Sequence, residues 1–340
     1  MNWKRRVLYG LGAGILALIG TCGIGYVATA GEYTVPATVE SDPALESVEL
    51  NGTLLHVRVL GPATSPVIVI LPGGPGNDFI YLSDLEALQD RYRLVFYDQR
   101  GAGLSARVPS EQLTLETYLA DLMAVLDHYS PGRPAILLGH SWGAMLATAF
   151  TAQHPERVSN LVLAEPGFLT PELSRVYLER TNNMMPALSW ATFRALGRAF
   201  YTYLHVSGPD NDAAVDAAML SLASAPMPES PIAGYYCNRD MHTARLQTKR
   251  FGARANMQLM GSELSDGGMS RDLSAGIENF RGNTLLLTGD CNTIVGPDIQ
   301  ERHAALFPRV RLVVIEGAGH TMLGEKPEES LAAIRAFLAQ

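Results

Sequence analysis

The chain of 340 residues predicts an α/β fold: a mainly parallel sheet with helices on both faces and an inserted, mostly helical cap. Two observations carry this reading. Short continuous apolar runs (PVIVIL at 66–71, YRLVFY at 92–97, PAILLG at 134–139, VSNLVLAE at 158–165) alternate with helix-like stretches, and strands without a polar face are buried on both sides, as in parallel sheets. The alternation stops over residues 166–280, where helix-like sequence and several prolines replace it, and resumes with TLLLT at 284–288 and RLVVI at 311–315.

Taken in order, the chain opens with Lys4-Arg5-Arg6 and an uncharged stretch from Val7 to Gly31 that contains Ala28-Thr29-Ala30. Positive residues before an apolar run keep the N-terminus in the cytoplasm and send the rest across, and A-x-A is a pattern that signal peptidase cuts. Residues 1–30 are therefore read as a signal peptide or a membrane anchor, with residues 7–30 the candidate membrane attachment. Cys22 lies in a poor lipidation context. A buried N-terminal helix is the plain alternative, weakened by Gly10, Gly12, Gly14, Gly20, Gly23 and Gly25. The expected location is extracytoplasmic: secreted, periplasmic or membrane-anchored facing outward.

Residues 31–46 read as a linker. Residues 47–50 and 53–60 read as strands joined by Asn51-Gly52, a strong hairpin signal. Helices are expected at 81–90, at 115–129, where leucines recur at spacings of three and four, at 142–153, near 298–307 and at 328–339. The core is placed at 47–165 and 281–340, and the cap at 166–280. The aromatic cap residues Trp190, Phe193, Tyr235 and Tyr236 are expected to pack in a core or to line a pocket.

The net charge of −8 and the absence of a basic run beyond the N-terminus argue against a nucleic-acid partner. The eight histidines are scattered and no CxxC, HExxH or EF-hand pattern occurs, so no metal or cofactor is expected. Cys237 and Cys291 are the cysteines outside the N-terminal segment; in an oxidising compartment they form either a cap-to-core bridge or two buried thiols.

Chemistry concentrates in three places. Gly139-His140-Ser141-Trp142-Gly143 fits G-x-S-x-G between a strand and a helix, the context that exposes a nucleophilic serine on a sharp turn. His320, in Gly317-Ala318-Gly319-His320, follows the last strand, where a general base for Ser141 would arrive. Leu71-Pro72-Gly73-Gly74-Pro75-Gly76 follows the first buried strand. An oxyanion needs two aimed N–H groups; the backbone of Trp142 supplies one candidate, and Gly74 the other, because Pro75 has no N–H. His140 reads as structural, its side chain directed away along the turn, and so do Asp98 and Arg100.

PGGPG, Asp98-Gln99-Arg100-Gly101-Ala102-Gly103-Leu104-Ser105 and GHSWG together resemble the prolyl iminopeptidase branch (peptidase family S33) of the α/β-hydrolase superfamily. That branch carries HGGPG, DQRGxGxS and GGSWG. The resemblance covers the core and not the cap; the histidine of HGGPG is Pro72 here, and the cap glutamates that hold a substrate amine are not recognisable. It implies the α/β-hydrolase fold and a serine hydrolase that forms an acyl-enzyme from a small-molecule or short-peptide substrate without a cofactor. An aminopeptidase or amidase is favoured, with a small-ester esterase or lactonase as the alternative and a ligand-binding receptor or degenerate hydrolase as a reading of another class.

The acid of the triad departs from the family. Relatives show Gly-x-x-Asp after the strand that is TLLLT here, and this chain has Gly289-Asp290-Cys291-Asn292. Two carboxylates can replace the missing aspartate. Glu165 ends the VSNLVLAE strand beside the nucleophile strand, and Asp290 lies on the loop itself. Glu165 is preferred and both are kept. Were Glu165 free of His320, it would be a candidate anchor for a substrate ammonium.

Overall fold

A computed structural model describes Trp3 and residues 20–182, 188–241, 248–265 and 267–340. Its strands are β1 (Ser47–Leu50), β2 (Thr53–Leu60), β3 (Val67–Leu71), β4 (Arg93–Tyr97), β5 (Ala135–His140), β6 (Val158–Ala164), β7 (Leu264–Ser265), β8 (Gly268–Met269), β9 (Asn283–Gly289) and β10 (Val310–Ile315). Eight of them form one sheet in the order β1-β2-β4-β3-β5-β6-β9-β10. The pairings from β4 to β10 are all parallel, and β1 and β2 add an antiparallel edge. The hairpin turns at Asn51 and Gly52, whose φ values of 46° and 71° suit a two-residue turn that follows the twist of its strands.

The helices are α1 (Leu115–Tyr129), α2 (Trp142–Gln153), α3 (Pro171–Arg180), α4 (Trp190–His205), α5 (Ala213–Ala223), α6 (Ala253–Glu263), α7 (Pro297–Ala304), α8 (Met322–Glu325) and α9 (Pro327–Leu338). α1 starts where Thr114 accepts a hydrogen bond from the Thr117 N–H, an N-cap that satisfies one of the free donors of the first turn. The helix expected at 81–90 is a run of 3-10 turns over Ile80–Asp90. Between β6 and β9 lie α3 to α6, and also the β7–β8 ribbon, which the sequence did not suggest. Apolar side chains pack against both faces of the sheet. Leu71, Leu122 and Phe150 belong to one layer and Ile70, Leu85 and Phe96 to the other. Every residue of β3 and β5 is buried, which accounts for their unbroken apolar runs.

Residues 20–28 are helical. Lys4-Arg5-Arg6 and most of the uncharged stretch expected to direct export or anchor the chain lie outside the described residues. Among the described residues no helix is long and apolar enough to cross a membrane. Of the two states open to Cys237 and Cys291, the structure has the disulfide.

The parallel strands run in one direction, so the loops after β3, β5, β6, β9 and β10 gather at one edge of the sheet, where ligands bind in open α/β sheets. The loop after β4 emerges at the same edge and is held there by buried polar contacts. Arg100 is buried and donates to both carboxylate oxygens of Asp121, at 2.8 and 2.6 Å, and to the carbonyl of Asn51 at 2.9 Å. Asp98 accepts from the Phe79 and Leu104 N–H groups and lies 2.8 Å from Nδ1 of His56. Removing one partner of a buried ion pair strands the other charge. Asp121→Ala should therefore lower the unfolding free energy by about 3–5 kcal/mol in urea titrations; a loss below about 1 kcal/mol would show that Arg100 is not held by this pair.

Candidate active site

Ser141 is the first residue past β5 and the N-cap of α2. Its φ of 52° and ψ of −118° are unfavourable for a residue with a side chain. The turn is held there by the Ser141 N–H donating to the Ala164 carbonyl at 2.9 Å. It is tight enough that a Cβ on Gly139 would meet the Gly143 carbonyl oxygen at 2.4 Å, and one on Gly143 the Leu71 oxygen at 2.1 Å. The flanking glycines are thus a steric requirement of the strand-to-helix turn.

Glu165 occupies the equivalent position one strand over, past β6, also with positive φ (42°). Its carboxylate is fully buried. Oε1 accepts from the Thr288 hydroxyl (2.6 Å) and the Gly289 N–H (2.8 Å), and Oε2 accepts from the Asn292 amide (2.6 Å). Oε2 also lies 2.8 Å from Nδ1 of His320. Burial pushes the Glu165 carboxyl up to about 7, against the pull of the Thr288, Asn292 and Gly289 donors. Burial holds the His320 imidazole down to about 4, so the ring is neutral at physiological pH.

Asp290 is not part of this cluster. It is exposed, and its Oδ1 accepts from the Gly317 N–H at 2.8 Å. That bond fastens the loop after β9 to the loop after β10, the local capping role common for a loop aspartate. The structure thus brings Glu165 to His320 and leaves Asp290 outside. It also ends the alternative in which Glu165 was free to bind an ammonium group.

His140 does not point away. Its Nε2 is 2.8 Å from the His320 carbonyl oxygen and its Nδ1 is 2.8 Å from the Tyr81 hydroxyl, whose oxygen accepts from the Gly73 N–H at 2.6 Å. The carbonyl can only accept, so Nε2 carries the hydrogen. Burial keeps the ring neutral, with its pKa down to about 3, so Nδ1 accepts and Tyr81 donates. The chain Gly73–Tyr81–His140–His320 therefore has one consistent direction. It ties the glycine loop to the backbone of His320, whose ring lies 4.8 Å from that of His140.

Gln99 links the same loop to α2. Its amide donates to the Pro72 carbonyl at 3.1 Å and accepts from the Trp142 indole N–H at 2.9 Å. Gly74 and Trp142 line one cavity together with Ser141. Across it the cap closes down: Gly252 N–H donates to the Gly76 carbonyl (2.7 Å), Asn256 to the Pro75 carbonyl (2.8 Å), and Asp78 accepts from the Lys249 and Arg250 N–H groups. Tyr235 accepts the His320 N–H on its carbonyl (2.8 Å) and sets its ring 4.4 Å from the imidazole, and the disulfide follows two residues later.

The cavity is small, about 50 Å³. Its walls are mostly apolar, including Leu115, Met145, Phe168 and Leu259, and Tyr177 and Tyr235 are also present. Among the described residues its one carboxylate is Glu263, at the end of α6, raised in pKa by burial and 3.5 Å from Nε of Arg271. Of the aromatic cap residues singled out in the sequence, Tyr235 lines this cavity. Trp190 and Phe193 do neither of the things expected of them, being 76% and 59% exposed on the outside of α4. Among the described residues no group of three or more His, Cys, Asp or Glu is arranged to hold a metal ion.

Comparison with known proteins agrees with this fold. A family model described as the alpha/beta hydrolase fold matches residues 66–327. A proline iminopeptidase of Lactobacillus helveticus is 28% identical over 298 residues, which cover 84% of this chain and 94% of that protein. A second, from Pestalotiopsis fici, is 25% identical over 303 residues, 86% of this chain and 99% of its own length. The crystal structure of a proline iminopeptidase-related protein from Thermus thermophilus superposes with a TM-score of 0.62 at 19% identity, over 87% of this chain and 96% of that one. With a parallel sheet, a serine on the turn after its central strand and relatives of this kind, the chain belongs to the α/β-hydrolase family and is an enzyme of the hydrolase class.

Proposed function

We propose that the protein is a serine hydrolase that cleaves a small amide or peptide through an acyl-enzyme, with Ser141 as nucleophile, His320 as general base and Glu165 as the acid that orients it. Nδ1 of His320 is engaged by Glu165, which leaves Nε2 to take the Ser141 proton as the hydroxyl attacks a carbonyl carbon. The backbone N–H groups of Gly74 and Trp142 are the donors for the oxyanion. His320 then protonates the leaving group, and water releases the acyl group from Ser141. The carboxylate stabilises the imidazolium formed at each proton transfer.

The observation that carries the amide or peptide reading is Glu263. It is the carboxylate of an otherwise mostly apolar cavity that also holds Ser141, which suits a substrate with an apolar side chain and a free amine. The apolar walls favour the second reading, a small-ester esterase or lactonase. The two separate on matched aminoacyl substrates with free and blocked amines. Glu263→Gln should raise KM about tenfold or more for the free amine, the loss of a charge-assisted hydrogen bond of about 1.5–3 kcal/mol, and leave the blocked analogue unchanged. Equal rates on both substrates in the unaltered enzyme would favour the esterase.

The acid is tested by a second comparison. Glu165→Gln should lower kcat by on the order of 10⁴, while Asp290→Asn should remain near the parent rate. The pH profile carries a further signature. On acidification the pair takes up its first proton near pH 7, where the raised Glu165 carboxyl titrates. Protonation removes the anion facing the imidazolium, so activity is present above this range and lost below it. In Glu165→Gln the anion is gone at every pH, and burial still holds His320 down against the smaller upward pull of Glu325, so the acid limb of the residual activity should move down. An active Glu165→Gln beside an inactive Asp290→Asn, or an acid limb that does not move, would overturn the assignment.

A further inference from the structure

The cap carries an apolar surface that the cavity does not use. α4 buries Thr192, Ala195, Ala199 and Thr202. It turns Trp190, Phe193, Leu196, Phe200, Tyr203 and Leu204 outward, at exposures between 43% and 76%. At about 100° per residue, Trp190, Phe193, Phe200 and Leu204 fall within one sector of about 80°, with Leu196 and Tyr203 continuing it on one side. Isolated exposed apolar residues are ordinary, but a contiguous stripe of aromatic ones marks an interaction site. On the other side of the stripe stand Arg194 and Arg198. In a chain of net charge −8, this helix has no Asp or Glu.

A second element points to what covers the stripe. The helical residues 20–28 pack at the C-terminal end of α4. Tyr26 and Tyr33 stack on the His205 ring at 4.2 and 4.9 Å, the Thr29 hydroxyl is 3.0 Å from Nε2 of His205, and the Tyr201 hydroxyl donates to the Cys22 carbonyl at 3.4 Å. This helix leaves Ile24 and Val27 72% and 74% exposed. It is the end of the uncharged run 7–31 that follows Lys4-Arg5-Arg6, a run long enough and apolar enough to enter a bilayer. Two apolar surfaces from distant parts of the sequence therefore meet at the C-terminal end of α4, and the one on α4 has Arg194 and Arg198 at its margin.

We propose that the outward face of α4 is a membrane-docking surface that lies on an anionic lipid bilayer, with the helix of residues 20–28 beside it. A helix with apolar and aromatic residues on one side and arginines at its margin lies in the plane of the interface. Its Trp and Tyr rings suit the headgroup level, and its arginines are attracted to an anionic surface. The serine hydrolase reading is not needed for this inference.

The test uses the full chain carrying Trp3→Phe. That leaves Trp190, exposed, and Trp142, buried inside the core. The protein is reconstituted into phosphatidylcholine–phosphatidylglycerol vesicles with and without brominated acyl chains, which quench only tryptophan in contact with lipid. The expected result is a loss of Trp190 emission with brominated lipid. The loss should vanish in Trp190→Phe and become smaller in Arg194→Gln/Arg198→Gln or when phosphatidylglycerol is omitted. Thermal unfolding of each variant, matched to the parent, shows that the fold is kept. Vesicle-bound protein whose Trp190 escapes bromine but is quenched by aqueous iodide would overturn the proposal. So would a dimer that shields Trp190 from both quenchers, which would make a second copy the occupant, and so would failure to bind vesicles.

Discussion

The site depends on one carboxylate buried away from solvent. A buried charge is tolerated only where donors converge on it. Around Glu165 they come from the Thr288 hydroxyl, the Gly289 N–H, the Asn292 amide and His320. Those donors belong to β9, the loop after it and the loop after β10, so satisfying Glu165 fixes three segments relative to β6. Asn292 stands where relatives of this fold place an aspartate. An aspartate there would set a second carboxylate 2.6 Å from Oε2, and like charges that close cannot both ionise. Asn292 and Glu165 thus make a consistent pair: the amide donates, and the carboxylate faces the imidazole.

A second chain of bonds works on the other side of His320. Gly73, Tyr81 and His140 connect the glycine loop to the His320 backbone. Gln99 connects the same loop to Trp142. The carbonyl of Tyr235 takes the His320 N–H, and Cys237 beyond it is bridged to Cys291, next to Asn292. His320 is therefore held by its ring through Glu165, by its carbonyl through His140 and by its N–H through the cap. Hydrogen-bonded support of this kind holds a side chain in one geometry. It also makes the cap part of the site's framework as well as its roof.

Much of this was legible from the chain because the signals are local. Continuous apolar runs marked the strands of the parallel sheet, Asn51-Gly52 marked its hairpin, and G-x-S-x-G between a strand and a helix marked the turn that carries Ser141. Glu165 could be named because an unpaired carboxylate at the end of a buried strand calls for a partner. What was missed is tertiary. Nothing in the sequence marks Tyr81, eight residues from Gly73, as the group that joins it to His140. Glu263 ends a helix of ordinary composition and becomes part of the cavity only because the cap folds over Ser141. α4 carries its large apolar residues on one side, the side that periodicity alone would bury, so Trp190 and Phe193 are expected inward; the helix instead buries its small side, Thr192, Ala195, Ala199 and Thr202. The run at 80–90 has helical spacing but closes in the tighter 3-10 form. The pairing of Cys237 with Cys291, 54 residues apart, depends on where the cap lands.

The central claim is that the strained turn after β5 presents a reactive serine. Labelling the purified protein with a fluorophosphonate and mapping the adduct by peptide mass spectrometry tests it most directly. The account predicts one stoichiometric adduct, on the peptide containing Ser141, formed at a rate that collapses in His320→Ala. An adduct on a different serine, or none on the folded parent enzyme, would contradict it.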